Sequence, residues 1–341
     1  MRARILDAPP PDWEALLRED PNASPAHRPE VALALAQVIP GMTAHFAVVE
    51  EAGRLVGGLP LCLERRATAC WIHALPFVLP GAPLSRGGAR EAVDLAAAEA
   101  LAGLQRERGA AGGEWICYRP LGEVAVPALQ RLAGETRALA ASVLDLEGGP
   151  AAFRERLGRD ARQLLRRPQA AGLEFAEEPE ALEIVYALHL RLSRQLPGHR
   201  PLPLELSRRL LAAGLRGAPP AGRLFTVRGA DRVLAGMLVL DHDREVFAWW
   251  SGARPEARAV LAMHWLVART AEWAAERGRL RLNLGGSAGL PGLEAFKRTL
   301  GAREIRYPVR WLDASRAPWP ARTLVGLQAR LRRGRYRGQS A

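Results

Sequence analysis

The sequence predicts an α+β fold arranged as two tandem domains, each a mixed, mostly antiparallel sheet flanked by helices. Three observations carry this. The chain has 341 residues, about twice the ~150 typical of one domain. Short stretches with period-2 hydrophobic alternation are interleaved with stretches of helical period. One order of elements also occurs in both halves: a strand–turn–strand pair at 43–64 and again at 223–240, each followed by another strand and a long helix.

Taken in order, 12–20 (DWEALLRED) and 28–39 (RPEVALALAQVI) have the spacing of two short helices, and Asp12 is placed to cap the first. Strands follow at 43–50, 55–64 and 69–75, then a Pro/Gly-rich loop at 76–88. An amphipathic helix covers 89–108, and strands cover 114–119 and 136–146. Gly148-Gly149-Pro150 marks the domain boundary, giving domains 1–148 and 149–315 and a basic tail at 316–341. The second half reads as basic helices over 151–171, a strand at 173–178 and helices at 180–195 and 203–215. Strands at 223–229, 232–240 and 244–252 come next, then a helix at 258–277. A strand, a short helix and a last strand at 303–312 complete it.

Composition narrows the class. The net charge is +12, but residues 316–341 hold seven arginines and no acid, which leaves +5 for the rest. Abundant Ala, Arg, Gly and Pro with a single lysine is also what a GC-rich coding bias produces. Cys62, Cys70 and Cys117 are odd in number and match no zinc spacing, so neither a disulfide framework nor a metal site is expected. The first twenty residues lack an apolar core of the signal-peptide kind, and no run of about 18 apolar residues offers a membrane span. A cytoplasmic protein is expected.

The most informative stretch is 279–302, RLRLNLGGSAGLPGLEAFKRTLGA. Leu280, Leu282 and Leu284 alternate with Arg281 and Asn283 as in a strand; Gly285-Gly286-Ser287 breaks it. Leu293, Phe296, Lys297 and Leu300 then fall at helical spacing, with Gly301 as a C-cap. Lys297 is the only lysine in the chain. A compact ammonium differs from a guanidinium in what it can contact, so this position is a candidate site. A solvated helix lysine, and a glycine turn serving only as a turn, are the plain alternatives.

Other candidates are weaker. Neighbouring strand residues face opposite ways, so one of Trp249 and Trp250 is expected in the core, with Trp250 lining a cleft that Arg254 rims. His242 and His264 have no acid placed to orient them, and no Ser-His-Asp or Cys-His order stands out. Arg154, Arg156, Arg159, Arg162, Arg166 and Arg167 form either a solvated helix or a phosphate-contacting surface. Residues 318–333 of the tail are compatible with an amphipathic helix on an anionic membrane surface, or with a plain solvated tail.

The second half resembles the GNAT acyltransferase superfamily, in particular its FemAB-like branch. The resemblance rests on RRPQAAGLEF (166–175), the hairpin from Leu224 to Leu240, the strand and helix FAWWSGARPEARAVLAMHWLVARTAEWAAERG (247–278), and LNLGGSAGLPGLEAFKRTLGA (282–302). LVGGLPLCLE and WIHALPFVLPGAPL extend it to the first half. It implies two GNAT-like domains and transfer of an acyl or aminoacyl group to an amine of a small molecule or a cell-envelope or polysaccharide precursor. The implied donor is acyl-CoA or aminoacyl-tRNA, with no metal; tRNA and an anionic membrane surface are the implied further partners. Mapped onto this chain, Ser287 and Lys297 are the catalytic candidates. Trp250, Arg254, Asn283, Gly285, Gly286 and Phe296 are the substrate- and donor-binding ones. One departure is visible. The turn in which the superfamily holds a pyrophosphate on backbone N–H groups is here Arg254-Pro255-Glu256-Ala257-Arg258-Ala259, without glycine. The alternative is a non-catalytic module of the same fold that binds RNA or anionic membrane through its arginines.

Overall fold

The computed structural model describes residues 1–66, 69–75, 79–194, 201–212, 214 and 218–313. The reading of 318–333 as a membrane-surface helix falls outside them. By internal contacts the chain forms two units, one of Met1–Leu139 with the chain from Arg306 onward, the other of Ala140–Ile305.

The first unit is built on strands β1 (Arg2–Leu6), β2 (Met42–Glu51), β3 (Arg54–Arg66), β4 (Ala69–Ala74), β5 (Leu84–Ser85) and β6 (Gly112–Ile116). Its helices are α1 (Trp13–Glu19), α2 (Pro29–Val38), α3 (Arg90–Arg108) and α4 (Val126–Arg131). The order β1-β2-β3-β4-β6 is antiparallel except for the parallel pair β4–β6, whose crossover is α3. A parallel pair needs such a crossover, and the long Ala-rich helix provides it. Trp13 and Phe46 meet edge to face at 5.3 Å in the core. Arg119 and Asp94, both fully buried, form an ion pair at 2.7 Å, and Arg119 also donates to the carbonyls of Pro83 and Glu123. Three short elements, β1, β5 and α4, are not legible in the sequence: each is too short to show a period.

The second unit repeats this grammar. Strand β7 (Gly134–Asp145) leads into α5 (Gly149–Arg156), α6 (Arg159–Ala170), β8 (Glu174–Glu177), α7 (Leu182–Ser193) and α8 (Leu204–Leu211). Then come β9 (Gly222–Gly229), β10 (Arg232–Asp241), β11 (Glu245–Ala253), α9 (Ala262–Glu276), β12 (Arg281–Asn283), α10 (Pro291–Thr299) and β13 (Arg303–Leu312). The order β7-β12-β11-β10-β9-β8 is antiparallel except for the parallel pair β11–β12. Its crossover is α9, as α3 is for β4–β6. Each unit's run of strands is thus mixed and mostly antiparallel, as expected. The chain passes into the second unit inside β7 and out of it inside β13; in the first unit β13 pairs with β6.

Alternation along the strands sorts the second core into two layers. Phe225, Val227, Ala235, Met237, Val239, Val246 and Leu282 face α5 and α9. Leu224, Val233 and Leu238 face α7 and α8. α7 sits close on the sheet because two glycines clear its path. A Cβ on Gly236 would fall 2.4 Å from Val185, and one on Gly252 would fall 2.4 Å from the backbone nitrogen of His189. No helix among the described residues is long and apolar enough to cross a membrane.

The seat at Gly252 is directly testable. Its obstacle is helix backbone, which cannot rotate away as a side chain can. Gly252→Ala is expected to lower stability by about 1–3 kcal/mol, read as a lower urea midpoint at unchanged slope. An unchanged midpoint would show that α7 is free to shift.

Candidate active site

The site is defined by where one parallel pairing stops. β11 and β12 are in register at Glu245–Arg281, Val246–Leu282 and Phe247–Asn283, and there the pairing ends. β11 continues from Ala248 to Ala253 along β10. The chain beyond β12 stays with β7 instead: Leu284 N–H donates to Ser142 O at 2.8 Å, and Ser142 N–H donates to Gly285 O at 3.0 Å. The two strands therefore part, and from Ala248 onward β11 presents backbone to the space between them.

The turn that follows β12 is held from several directions. Gly285 has φ of +66°, a left-handed conformation that costs a side-chain-bearing residue about 1–2 kcal/mol. Its N–H donates to Asn283 Oδ1 at 2.9 Å, the local bond an Asn makes with the backbone two residues on. Asn283 Nδ2 donates to Glu245 Oε1 at 3.1 Å, and Arg281 Nε donates to Glu245 Oε2 at 3.1 Å. All three side chains are buried, Glu245 and Asn283 completely. A charge so placed is tolerated because it is paired and hydrogen-bonded.

Lys297 closes the turn from α10. Its ammonium donates to the carbonyls of Gly285 and Gly286, each at 2.8 Å, and the side chain is only 4% exposed. Burial drives its pKa down to about 8, partly offset by Glu294. The same helix places Phe296 edge-on to His264 at 4.7 Å, in the first turn of α9; burial also lowers the pKa of His264. Ser287 is half-buried, and its carbonyl accepts from Leu290 N–H at 2.9 Å. Gly285 N–H is spent on Asn283, whereas the N–H groups of Gly286 and Ser287 have no acceptor among the described residues.

The two tryptophans of β11 correct an expectation. They do not face opposite ways. Leu238 pairs with Trp250 and Val239 with Ala248, so Trp249 is the extra residue of a β-bulge. The bulge breaks the alternation, and both indoles pack against the α7–α8 layer. Trp250 lies 5.8 Å from Tyr186 and 4.9 Å from His189, both on α7. Nothing in the dipeptide itself signals a bulge; only the pairing register exposes it. Arg254 Nε donates to Val233 O at 2.8 Å, which ties it to β10. Beyond it the glycine-free stretch forms a one-turn 3-10 helix, Pro255–Arg258, and Leu261 caps α9 with φ of +56°. A left-handed residue is thus present before α9 even without glycine.

Of the residues singled out in the sequence, Asn283, Gly285, Gly286, Ser287 and Lys297 form one hydrogen-bonded turn. Trp250 and Arg254 lie on the neighbouring strand and its exit, and Phe296 packs into the α9 layer. Sequence reasoning missed Glu245, Ser142, Tyr186 and His189, which come from distant segments with no motif of their own. Among the described residues no group of three or more His, Cys, Asp or Glu is placed to hold a metal ion.

Residues 151–298, which lie in the second unit, match the family described as acetyltransferase (GNAT) domain. Over nearly its full length the chain also has the fold of FemX. The identity is 13% and the TM-score 0.69, with 90% of this chain and 96% of that one covered. A tandem GNAT protein from the clavulanic acid biosynthesis pathway matches at 14% identity and a TM-score of 0.53, covering 92% and 99%. A conserved protein of unknown function from Bacteroides thetaiotaomicron matches at 10% and 0.54, covering 91% and 99%. No curated protein matches the sequence. The tandem GNAT fold, FemAB-like in its likeness to FemX, is as the sequence led one to expect.

The titration of Lys297 gives a test with a definite sign. Its pKa is about 8 in the folded chain and about 10.4 unfolded. Between these values the unfolded state binds the extra proton, so stability rises with pH. Relative to Lys297→Met, the wild type is expected to gain up to ~3 kcal/mol from pH 8 to pH 10.5, followed by urea unfolding. A difference that does not move with pH would place the titration elsewhere.

Proposed function

We propose that this chain is an N-acyltransferase in which the acceptor amine attacks the donor carbonyl directly, in the space where β12 leaves β11. The observation that carries this is the end of the β11–β12 register at Phe247–Asn283, beside a turn with two uncommitted N–H groups. A carbonyl at that point would find the N–H groups of Gly286 and Ser287 as hydrogen-bond donors for the charge that develops on its oxygen. Lys297 would act by fixing the turn, since its ammonium already serves two carbonyls. The Ser287 hydroxyl would orient the acceptor or the donor carbonyl. No covalent intermediate on the enzyme is needed, because positioning and oxyanion stabilisation suffice for an amine nucleophile.

Acyl-CoA is the donor the GNAT domain supports. Aminoacyl-tRNA is the second donor to test, since the turn before α9 lacks the glycines that let backbone approach a pyrophosphate. The likeness to FemX supports an amine on a cell-envelope precursor as acceptor, and we place the reaction on the cytoplasmic side of the membrane.

A thermal-shift screen against acetyl-CoA, longer acyl-CoAs and aminoacyl-tRNA tests the donor: one class is expected to raise the midpoint. With that donor, Ser287→Ala is expected to lower kcat/KM about tenfold, the loss of ~1.4 kcal/mol of transition-state stabilisation. Lys297→Met is expected to lower it by more, with the fold retained by circular dichroism. No stabilisation by any acyl donor would remove the proposal, and full activity in both variants would remove these residues from the site.

A further inference from the structure

Helix α6 has a face that the acyl-transfer site does not use. Each residue advances about 100° around an α-helix, so Ala161, Leu165 and Pro168 share one side. Ala161 and Pro168 are buried, and Leu165 packs against the second unit's core. Arg159, Arg162 and Arg166 fall within about 60° of one another on the opposite side, and all three are exposed. From Arg159 to Arg166 the helix rises about 10 Å. Gln163 and Gln169 flank this row and are exposed as well. The helix's one acid, Asp160, lies off the row, on the side of Arg167.

The three guanidinium groups of the row have no partner among the described residues. Their neighbours do. Arg154 pairs with Glu272, Arg156 donates to the carbonyls of Asp145 and Glu147, and Arg167 donates to Ala259 O at 3.3 Å. The last bond sets the end of α6 beside the 3-10 turn before α9, where the exposed Arg258 side chain likewise has no partner among the described residues. Like charges at these helical spacings weaken a helix, and an anion laid along the row relieves them.

A row of cations in line matches a polymer of phosphates. Guanidinium forks bind phosphate oxygens bidentately, and Gln side chains serve sugar and phosphate oxygens. The amides of Gln163 and Gln169 can both donate to and accept from a 2′-hydroxyl, the group that distinguishes RNA. A membrane surface is a poorer match. A helix bound there inserts an apolar face, and α6 turns its apolar side into its own core.

We infer that this face of α6 binds the phosphodiester backbone of RNA. Arg159, Arg162 and Arg166 each meet a phosphate, and Gln163 and Gln169 meet the adjoining sugars. The inference does not depend on acyl transfer.

The test uses the full chain and a labelled single-stranded RNA of about 16 nucleotides, read by fluorescence anisotropy from about 50 to 200 mM salt. Arg159→Gln/Arg162→Gln/Arg166→Gln is expected to make the log–log salt slope shallower by about 2, three phosphates at ~0.7 each. Near 0.1 M salt that is about 10²-fold weaker binding, with the thermal midpoint unchanged. Lysine at the same three positions keeps the charge and is expected to keep the slope. Arg54→Gln/Arg65→Gln/Arg106→Gln removes the same charge from exposed arginines of the first unit and is expected to bind as the wild type does. The basic stretch 316–341 is the same in every variant. Equal loss in the two glutamine variants, salt-independent binding, or no binding by the wild type would overturn the inference. So would loss of binding to phosphatidylglycerol vesicles in the α6 variant with RNA binding kept, and equal binding of a DNA strand would overturn the assignment to RNA. The probe carries no acyl group, so each of these results leaves the acyl-transfer reading to its own test.

Discussion

Glu245 is a carboxylate with no exposure to solvent, set beneath the point where two parallel strands separate. It faces a geometric demand. β12 has three residues in which to pair with β11 on one side and β7 on the other, and then must leave the first while keeping the second. Backbone pairing alone would favour continuing along both. Glu245 fixes the side chains of Arg281 and Asn283, and Asn283 in turn takes the N–H of Gly285 out of the strand ladder. The strand is turned by side-chain hydrogen bonds that outcompete its own edge. A buried ion pair adds little net stability over apolar packing, but breaking one is costly. Its use here is to specify where the strand ends.

The lysine completes this on the carbonyl side. A guanidinium is planar and presents its donors in a fixed fork, whereas an ammonium reaches two convergent carbonyls from one atom. Gly285 and Gly286 turn their carbonyls toward one point, and Lys297 occupies it. That use accounts for a lysine in a chain whose other side-chain cations are almost all arginine. Desolvation works against the arrangement, as the lowered pKa of Lys297 shows. The turn is held in one shape at the expense of a buried charge.

Much of this was legible in the sequence because the elements are regular. The hairpins, α3, α9 and the strand–turn–helix of 279–302 appear within a few residues of where periodicity and glycines placed them. Gly285 and Lys297 stood out by residue type. The rest was hidden for identifiable reasons. Trp249 and Trp250 are a plain dipeptide until a register shift turns both to one layer. Arg281 and Asn283 looked like the polar face of an amphipathic strand, but their partner Glu245 lies 36 and 38 positions away and buries both. His189 sits in a helix that shows only ordinary amphipathic spacing. Its place against β11 depends on Gly252, a residue that reveals nothing until the helix above it is seen.

The strand that steadies the glycine turn is contributed from before the Gly148–Gly149 link. Ser142 lies in β7, upstream of that link, yet its N–H and C=O hold Leu284 and Gly285. The stretch that matches the acetyltransferase family, 151–298, contains the turn but not this partner. A segment that carries the recognisable signature is therefore not the same as a segment that can hold the site in shape. Were such a stretch inherited or recombined alone, it would carry the glycine turn and Lys297 while leaving one edge of β12 bare, and it would have to recruit a replacement strand to hold the turn in this shape.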